Sequence, residues 1–209
     1  MSSKKKGSQS SGGNLESIFS KYADEDDPLI IDVVGIGTIC EEVGIDAEDI
    51  SALMLVWKLG AKATKPQCIT KEEFLQGMQR YGLKSIKDIK QILPQLDPGF
   101  LDQSEFLEFY RFVFKFNLEG TKRTIDKETV AILLPIVIDS NRAPHLDSFI
   151  EFLGLEECKH PHITLDQWTQ FLQFEKQMEQ DLSNFDDNDA WPLILDEFVD
   201  WMRETKLKK

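Results

Sequence analysis

The feature of the sequence that most constrains its fold is the stretch DNDAWPLILDEFVDWM at residues 187–202. Wound as a helix from Pro192 at 3.6 residues per turn, this stretch collects its apolar side chains on one broad arc and its charged side chains on the other. The apolar arc consists of Leu193, Ile194, Leu195, Phe198, Val199, Trp201 and Met202. The charged arc consists of Asp196, Glu197, Asp200, Arg203 and Glu204. Proline is favoured at the first helical position, where its missing N–H would have no partner. The stretch therefore predicts an amphipathic helix with a buried aromatic face and an acidic outer face.

Helical spacing of apolar residues recurs along the rest of the chain. It is found in residues 15–22, 36–43, 50–57, 85–93, 102–116, 125–138 and 145–155. Two further helices are predicted to begin at capping boxes, Thr70 with Glu73 and Thr164 with Gln167, in which two side chains satisfy free N–H groups of the helix start. Pro135 is expected to kink or end its helix near residue 134, because proline lacks the N–H of the helical ladder. The pattern predicts an all-α fold of two related helical lobes.

The domain boundaries follow from composition. Residues 1–13 are rich in Ser, Gly and Lys and are predicted to form a disordered tail. Residues 14–204 form the predicted helical domain, for which 14 phenylalanines and 4 tryptophans supply ample core. Residues 205–209 are predicted to be a short basic tail.

The first helices resemble EF-hands, because helix–loop–helix units carry an isoleucine late in each loop. Calcium needs six or more oxygen ligands from such a loop. With Ile31 aligned at the usual apolar position, Asp24 and Asp26 fall on ligand positions, but Gly35 stands where the bidentate glutamate belongs. In the second loop, Glu73 is the only residue that suits a calcium ligand position. We expect EF-hand-like units that lack calcium ligands, and an EF-hand-like calcium sensor or adaptor is the alternative function.

Charge and cysteine content restrict the partners. A net charge of −13 argues against nucleic acid or an anionic membrane surface and favours a basic protein partner. The sequence contains no apolar run long enough to span a membrane, and its first residues do not resemble a signal peptide. Three widely spaced cysteines indicate reduced thiols rather than a disulfide framework. We expect a cytoplasmic and nuclear protein.

No pattern in the sequence indicates catalysis. A glycine-rich phosphate loop, a nucleophile elbow and a Ser/His/Asp constellation are all missing from the sequence. Cys158, His160 and His162 are the one cluster with metal-ligand residue types, but no second ligand pair accompanies them. The cluster is interpreted as a surface loop rather than a zinc site, and no cofactor or metal is expected.

Several segments together resemble the potentiating-neddylation domain of the defective-in-cullin-neddylation family. They are LVWKLGA at 55–61, EEFLQGM at 72–78, FLEFYRFVFKF at 106–116, DQW at 166–168 and DLSNFDDNDAWPLILDEFV at 181–199. The resemblance extends from about residue 15 to residue 204. It implies an all-helical protein whose EF-hand-like units bind no calcium.

The resemblance also implies a function. Members of this family act as scaffold-type ligases, without catalytic residues of their own, that promote transfer of a ubiquitin-like modifier to a cullin lysine. One face of these proteins binds the C-terminal winged-helix region of the cullin. The positions of this sequence that match the family's cullin-binding residues are Asp166, Ala190 and Asp196. The RING subunit of cullin ligases is a further partner to consider.

A second site is implied for the neddylation conjugating enzyme. In the family, an apolar pocket receives the N-terminally acetylated methionine of that enzyme. The positions that match its wall are Ile36, Ala52, Leu55, Phe116 and Ile136. Acetylation removes the terminal charge that would otherwise have to be buried in an apolar pocket.

Overall fold

The structure, a computed structural model, describes residues 12–139 and 142–207. The predicted tail of residues 1–13 lies outside this part, except for Gly12 and Gly13, where the first helix begins. Within the described residues the regular structure is helical apart from four strands of two or three residues. The prediction of an all-α fold is confirmed. By residue contacts the chain divides into two units, the first ending at Phe100 and the second beginning at Leu101.

The first unit contains four α-helices among its described residues. Its elements are α1 (Gly12–Tyr22), β1 (Ile30–Ile31), α2 (Val33–Val43), α3 (Ile50–Lys58), β2 (Ile69–Thr70) and α4 (Lys71–Arg80), followed by 3-10 turns at Ile86–Gln91, Leu93–Gln95 and Pro98–Phe100. The apolar pattern at residues 85–93 therefore produces 3-10 turns and not an α-helix. Phe19 of α1 and Phe74 of α4 pack in the core, with ring centroids 5.7 Å apart.

A buried glutamate organises the start of α4. Strands β1 and β2 pair antiparallel, with Ile31 opposite Ile69, and β2 leads directly into the helix. The predicted capping box is present: Glu73 Oε2 accepts from the backbone N–H of Thr70 at 2.9 Å. The other oxygen of Glu73 accepts from the N–H of Lys62 at 3.0 Å. Glu73, the one residue of the second loop that suits a calcium ligand, thus satisfies one backbone donor in the loop before β2 and one at the end of β2.

The first acidic loop likewise uses its carboxylates on the backbone. Asp24 Oδ1 accepts from the N–H of Asp26 at 3.0 Å and from that of Asp27 at 2.7 Å. Within the part of the chain that the structure describes, no group of three His, Cys, Asp or Glu side chains is arranged to hold a metal ion. The relationship to EF-hands stays a prediction.

The second unit contains five α-helices among its described residues. Its elements are α5 (Gln103–Phe116), β3 (Thr124–Asp126), α6 (Lys127–Val137), α7 (Leu146–Gly154), β4 (His162–Thr164), α8 (Leu165–Gln177) and α9 (Leu193–Thr205). Strands β3 and β4 pair antiparallel, with Ile125 opposite Ile163. The predicted capping box of Thr164 and Gln167 opens α8. The predicted end of the helix near residue 134 is wrong: α6 continues past Pro135 to Val137, because a proline in the last turn removes only one helical hydrogen bond. The alternative, a kink at Pro135, stays a prediction.

Tyr110 and Trp168 join α5 to α8. The Tyr110 hydroxyl donates to the carbonyl of Trp168 at 3.0 Å, and Trp168 Nε1 donates to the carbonyl of Tyr110 at 3.0 Å. Their stacked rings lie 4.4 Å apart, and both residues are fully buried. Two large aromatic side chains are thus buried with their polar atoms satisfied.

The three cysteines lie in the interior of the protein. Cys40, Cys68 and Cys158 are free thiols and all are buried. Burial raises the pKa of Cys40 to about 11. Among the described residues, no helix is both long enough and apolar enough to cross a lipid bilayer.

Candidate functional site

The organising helix of the sequence is α9, and its start differs slightly from the prediction. Pro192 is the N-cap, with ψ of 140°, and the helix begins at Leu193. The carbonyl of Pro192 accepts from the N–H of Leu195 at 2.7 Å and of Asp196 at 3.4 Å. Asp196 therefore lies in the first turn, where the partial positive charge of the helix end favours a carboxylate.

The inner face of α9 is an aromatic core. Its buried residues are Ile194, Leu195, Phe198, Val199 and Met202. The Phe198 ring packs against Phe149 of α7 and Phe174 of α8, with centroids 5.2 and 6.0 Å away. Trp191 meets the same Phe174 ring edge-on at 5.7 Å. These contacts fix the start of α9 against α8.

Leu193 departs from the predicted buried arc. It is 62% exposed, because it occupies the first helical position at the edge of that arc. Leu193 precedes Asp196 by three residues on α9, so an exposed apolar side chain adjoins the carboxylate. Ala190, in the loop before the helix, is also exposed. We call Ala190, Leu193 and Asp196 the α9 surface.

Asp196 is half-buried among other acids. Burial raises its pKa, and the negative charges of Asp200, Asp187 and Glu197 raise it further. No lysine or arginine among the described residues forms an ion pair with its carboxylate. The α9 surface therefore holds a carboxylate whose charge is not neutralised within the chain.

The third predicted residue of the patch lies on a neighbouring helix. Asp166 is exposed in the first turn of α8, directly after the capping residue Thr164. At 1.5 Å per residue it lies about 12 Å along α8 from Phe174, against which the start of α9 packs. Asp166 and the α9 surface thus belong to the same unit, and the helices that carry Asp166 and Asp196 pack against each other. That both contact one partner stays a prediction.

Arg203, whose partner the sequence pattern does not indicate, anchors the loop before α9. Arg203 Nη1 donates to Asp187 Oδ1 at 2.7 Å, and its guanidinium lies 5.4 Å from the centroid of the Phe185 ring. Arg203 projects from the last part of α9 back to the loop that carries Ala190. Its position on the charged arc was visible in the sequence, but its partner sixteen residues earlier depends on the path of the loop.

The histidines of the predicted surface loop bind two different elements. His160 Nε2 lies 2.9 Å from Glu197 Oε2 on α9, and His162 Nδ1 lies 2.7 Å from Asp126 Oδ1 on β3. Cys158 is buried. Each histidine therefore has a carboxylate partner of its own. His160 connects the loop to α9, whereas His162 is the first residue of β4 and lies opposite its partner Asp126 in the paired strands.

A buried pair supports the chain after α8. His145 Nδ1 lies 3.2 Å from Glu175 Oε2, and His145 Nε2 lies 3.3 Å from the carbonyl of Gln180. Both ring nitrogens face acceptors, and only a protonated imidazole can donate to both. Burial is the largest single effect and would lower the pKa of His145, but the hydrogen bond and charge of Glu175 together with the backbone carbonyls of Gln180 and Glu179 raise it overall. Composition alone does not indicate this pair, since its members are thirty residues apart.

The residues predicted to line the acetyl-methionine pocket are apolar and largely buried. Ala52 and Leu55 are buried on α3, and Ile36 is half-buried on α2, all in the first unit. Phe116 is the buried last residue of α5, and Ile136 is half-buried on α6, both in the second unit. The pocket stays a prediction.

Comparison with known proteins places these residues in a family. Residues 88–201 match the family described as cullin binding, a range that includes Asp166, Ala190 and Asp196. The chain is 32% identical over 189 residues to DCN1-like protein 4 of Danio rerio, which covers 90% of this chain and 65% of that protein. It is 31% identical over 209 residues to DCN1-like protein 3 of Homo sapiens, covering 99% of this chain and 68% of that protein.

The similarity extends to a third relative. The chain is 32% identical over 185 residues to DCN1-like protein 5 of Homo sapiens, covering 88% of this chain and 75% of that protein. The chain spans less than two thirds of the length of DCN1-like protein 4, at 65% for the Danio rerio protein and 62% for the Homo sapiens protein. The resemblance to the defective-in-cullin-neddylation family is confirmed. The chain belongs to the family of DCN1-like proteins with a cullin-binding domain.

Proposed function

We propose that this chain is a scaffold that promotes cullin neddylation, holding a cullin and the neddylation conjugating enzyme together without catalysing the transfer itself. The observation that carries the proposal is the α9 surface, which lies within the segment that matches the cullin-binding family. It combines an exposed leucine with a carboxylate that has no cation partner among the described residues. A partner with a lysine or arginine beside an apolar contact fits such a surface.

The cullin end of the scaffold uses Asp166, Ala190 and Asp196. Ala190 is small, so a partner can approach the backbone closely beside Trp191. The net charge of −13 attracts a basic cullin surface over long range and raises the rate of encounter. This attraction falls with ionic strength, because about 0.15 M salt screens charges beyond about 8 Å.

The conjugating-enzyme end uses the apolar side chains of Ile36, Ala52, Leu55, Phe116 and Ile136. Side chains of this kind accept a methionine but disfavour a charged amine, whose burial without a partner is costly. Recognition therefore depends on N-terminal acetylation of the enzyme. Both sites are needed for function, because each brings one of the two reactants.

The mechanism is proximity. Two reactants bound to one scaffold meet at a high effective concentration, so that transfer of the modifier to the cullin lysine becomes effectively intramolecular. The thioester of the conjugating enzyme supplies the reactive bond. The contribution of this chain is to orient the reactants and to lengthen their encounter.

Binding measurements test the two ends separately. Calorimetry with a cullin C-terminal domain compares the wild-type protein with Asp166→Arg and with Asp147→Arg. Asp147 is a matched control, because it is also an exposed aspartate in the first turn of a helix of the second unit. We expect Asp166→Arg to weaken binding about tenfold or more and Asp147→Arg to leave it nearly unchanged. Equal affinity of the three proteins would refute the assigned patch.

The second measurement uses the N-terminal peptide of the conjugating enzyme with and without its acetyl group. We expect the acetylated peptide to bind more tightly and Leu55→Glu to abolish the difference. A circular dichroism melt distinguishes loss of the pocket from loss of the fold, since Leu55 is buried. Equal binding of both peptides to the wild-type protein would contradict the pocket.

A further inference from the structure

A small cleft in the second unit has an apolar floor and a cationic rim. It is lined by Leu101, Gln103, Phe106, Arg142, Leu172 and Lys176, with a volume of about 310 Å³. Leu101, Phe106 and Leu172 are nearly buried and form the floor. Arg142 and Lys176 are exposed, and no lining residue carries a negative charge.

The two cations are available for a ligand. Neither Arg142 nor Lys176 takes part in the ion pairs found among the described residues, in contrast to Arg203 and Lys206 of the same unit. The Arg142 guanidinium lies 4.8 Å from the centroid of the Phe106 ring. Stacking on the ring holds the guanidinium at the edge of the cleft and leaves its N–H groups free for a planar acceptor.

The chemistry of the cleft defines its ligand. Its floor can receive one bulky apolar side chain, and its rim can bind carboxylates through charge-assisted hydrogen bonds. We infer that the cleft binds a segment of another protein in which a bulky apolar side chain adjoins aspartate or glutamate. Acidic nucleic acids and anionic membranes fit less well, because the remaining charge of the protein repels extended anionic surfaces.

This site differs from the proposed cullin contact. Lys176 lies in the last turn of α8, about 15 Å along the helix from Asp166 in its first turn. Its charge is opposite to that of the α9 surface, so the two sites select partners of opposite charge. The inference therefore does not depend on the proposed function.

Nuclear magnetic resonance of the full chain tests the inference. The probe is the peptide Ser-Gly-Asp-Phe-Asp-Gly-Ser, acetylated and amidated at its ends so that its only charges are the two carboxylates. We expect its titration to shift the amide signals of Leu101, Phe106 and Leu172. Two comparison peptides replace both aspartates by asparagine or the phenylalanine by glycine, and each should bind about tenfold more weakly.

The matched protein variants are the double substitution Arg142→Gln with Lys176→Gln and the control Arg123→Gln. Arg123 is an exposed arginine of the same unit that does not line the cleft. The double variant should lose about tenfold or more in affinity for the probe, and the control should bind like the wild-type protein. Amide spectra without peptide establish that each variant is folded.

Three results would overturn the inference. One is a titration whose shifts map away from the cleft or that shows no binding. Another is equal affinity for the aspartate and asparagine peptides or for the wild-type and double-variant proteins. The third is binding of phosphatidylserine vesicles or of a single-stranded oligonucleotide through Arg142 and Lys176 in place of the peptide.

Discussion

Replacing the Asp196 carboxylate should raise the stability of the fold and at the same time weaken the binding of a cullin. Burial and the charges of Asp200, Asp187 and Glu197 raise its pKa in the folded protein. The stability that this group contributes is fully present below its ordinary pKa of about 4 and is lost as the pH rises through the raised value. At pH 7 burial and these repulsions outweigh the favourable charge of the helix start, so the ionised carboxylate destabilises the fold.

Asp196→Asn removes this repulsion at nearly constant shape. Because the side chain is partly exposed, we expect the gain in the free energy of unfolding to be at most about 1 kcal/mol. For a chain of this size such a gain raises the melting temperature by about 2–4 °C. Scanning calorimetry measures the change.

The same substitution should weaken cullin binding. A cation about 4 Å from the carboxylate gains about 4 kcal/mol at an effective dielectric constant of about 20, before desolvation is subtracted. Since desolvation and screening remove most of this gain, we expect a net loss of about 1–1.5 kcal/mol for Asp196→Asn. Asp196→Arg adds repulsion and should cost about 2 kcal/mol or more.

Two outcomes would refute this reasoning. If Asp196→Asn lowers both the melting temperature and the affinity, the carboxylate has a structural role. If neither substitution changes the affinity for a cullin C-terminal domain, the α9 surface is not the contact. Glu204→Gln is a control, because it removes an exposed carboxylate from the far end of α9.

Three further predictions concern the fold, all measured by urea denaturation. The raised pKa of His145 means that its pairing with Glu175 stabilises the protein fully below about pH 6.5 and progressively less as the pH rises through the raised value. His145→Gln should therefore flatten the pH dependence of the free energy of unfolding. An unchanged pH profile would show that the pair does not titrate. Gly77→Ala should lower the free energy of unfolding by about 3 kcal/mol, because its added methyl group would collide with the backbone carbonyl of Leu59. An unchanged or higher stability would contradict that contact, since helix propensity alone favours alanine over glycine by about 1 kcal/mol. Trp168→Phe should lower the free energy of unfolding by about 2–3 kcal/mol, because it loses the Nε1 hydrogen bond and has a smaller side chain. An unchanged free energy of unfolding would show that Trp168 does not stabilise the packing of α5 on α8.

The parts of the fold that could be predicted are those governed by nearby residues. The capping boxes at Thr70 and Thr164 occur where the sequence placed them, because each depends on a side chain and a backbone N–H three residues apart. The start of α9 was misplaced by one residue, since proline is acceptable both as an N-cap and at the first helical position. The exposure of Leu193 was missed because a broad apolar arc does not indicate how far the neighbouring helices cover its edge.

The features that could not be predicted depend on long-range packing. Arg203 with Asp187 and His145 with Glu175 join positions that sequence spacing does not relate. Arg142 becomes part of a cleft only because α5 and α8 lie beside it. Asp166 and Asp196 were assigned through the family resemblance, since an acid in a first helical turn is otherwise common.

The central claim is tested most directly by the rate at which the modifier is transferred from its loaded conjugating enzyme to a cullin. We expect the wild-type protein to increase this rate about tenfold or more with saturable dependence on its concentration, as a proximity mechanism requires. Asp196→Arg should lose the increase at the same concentrations while remaining folded. An unchanged rate with saturating wild-type protein, or full stimulation by Asp196→Arg, would contradict the account.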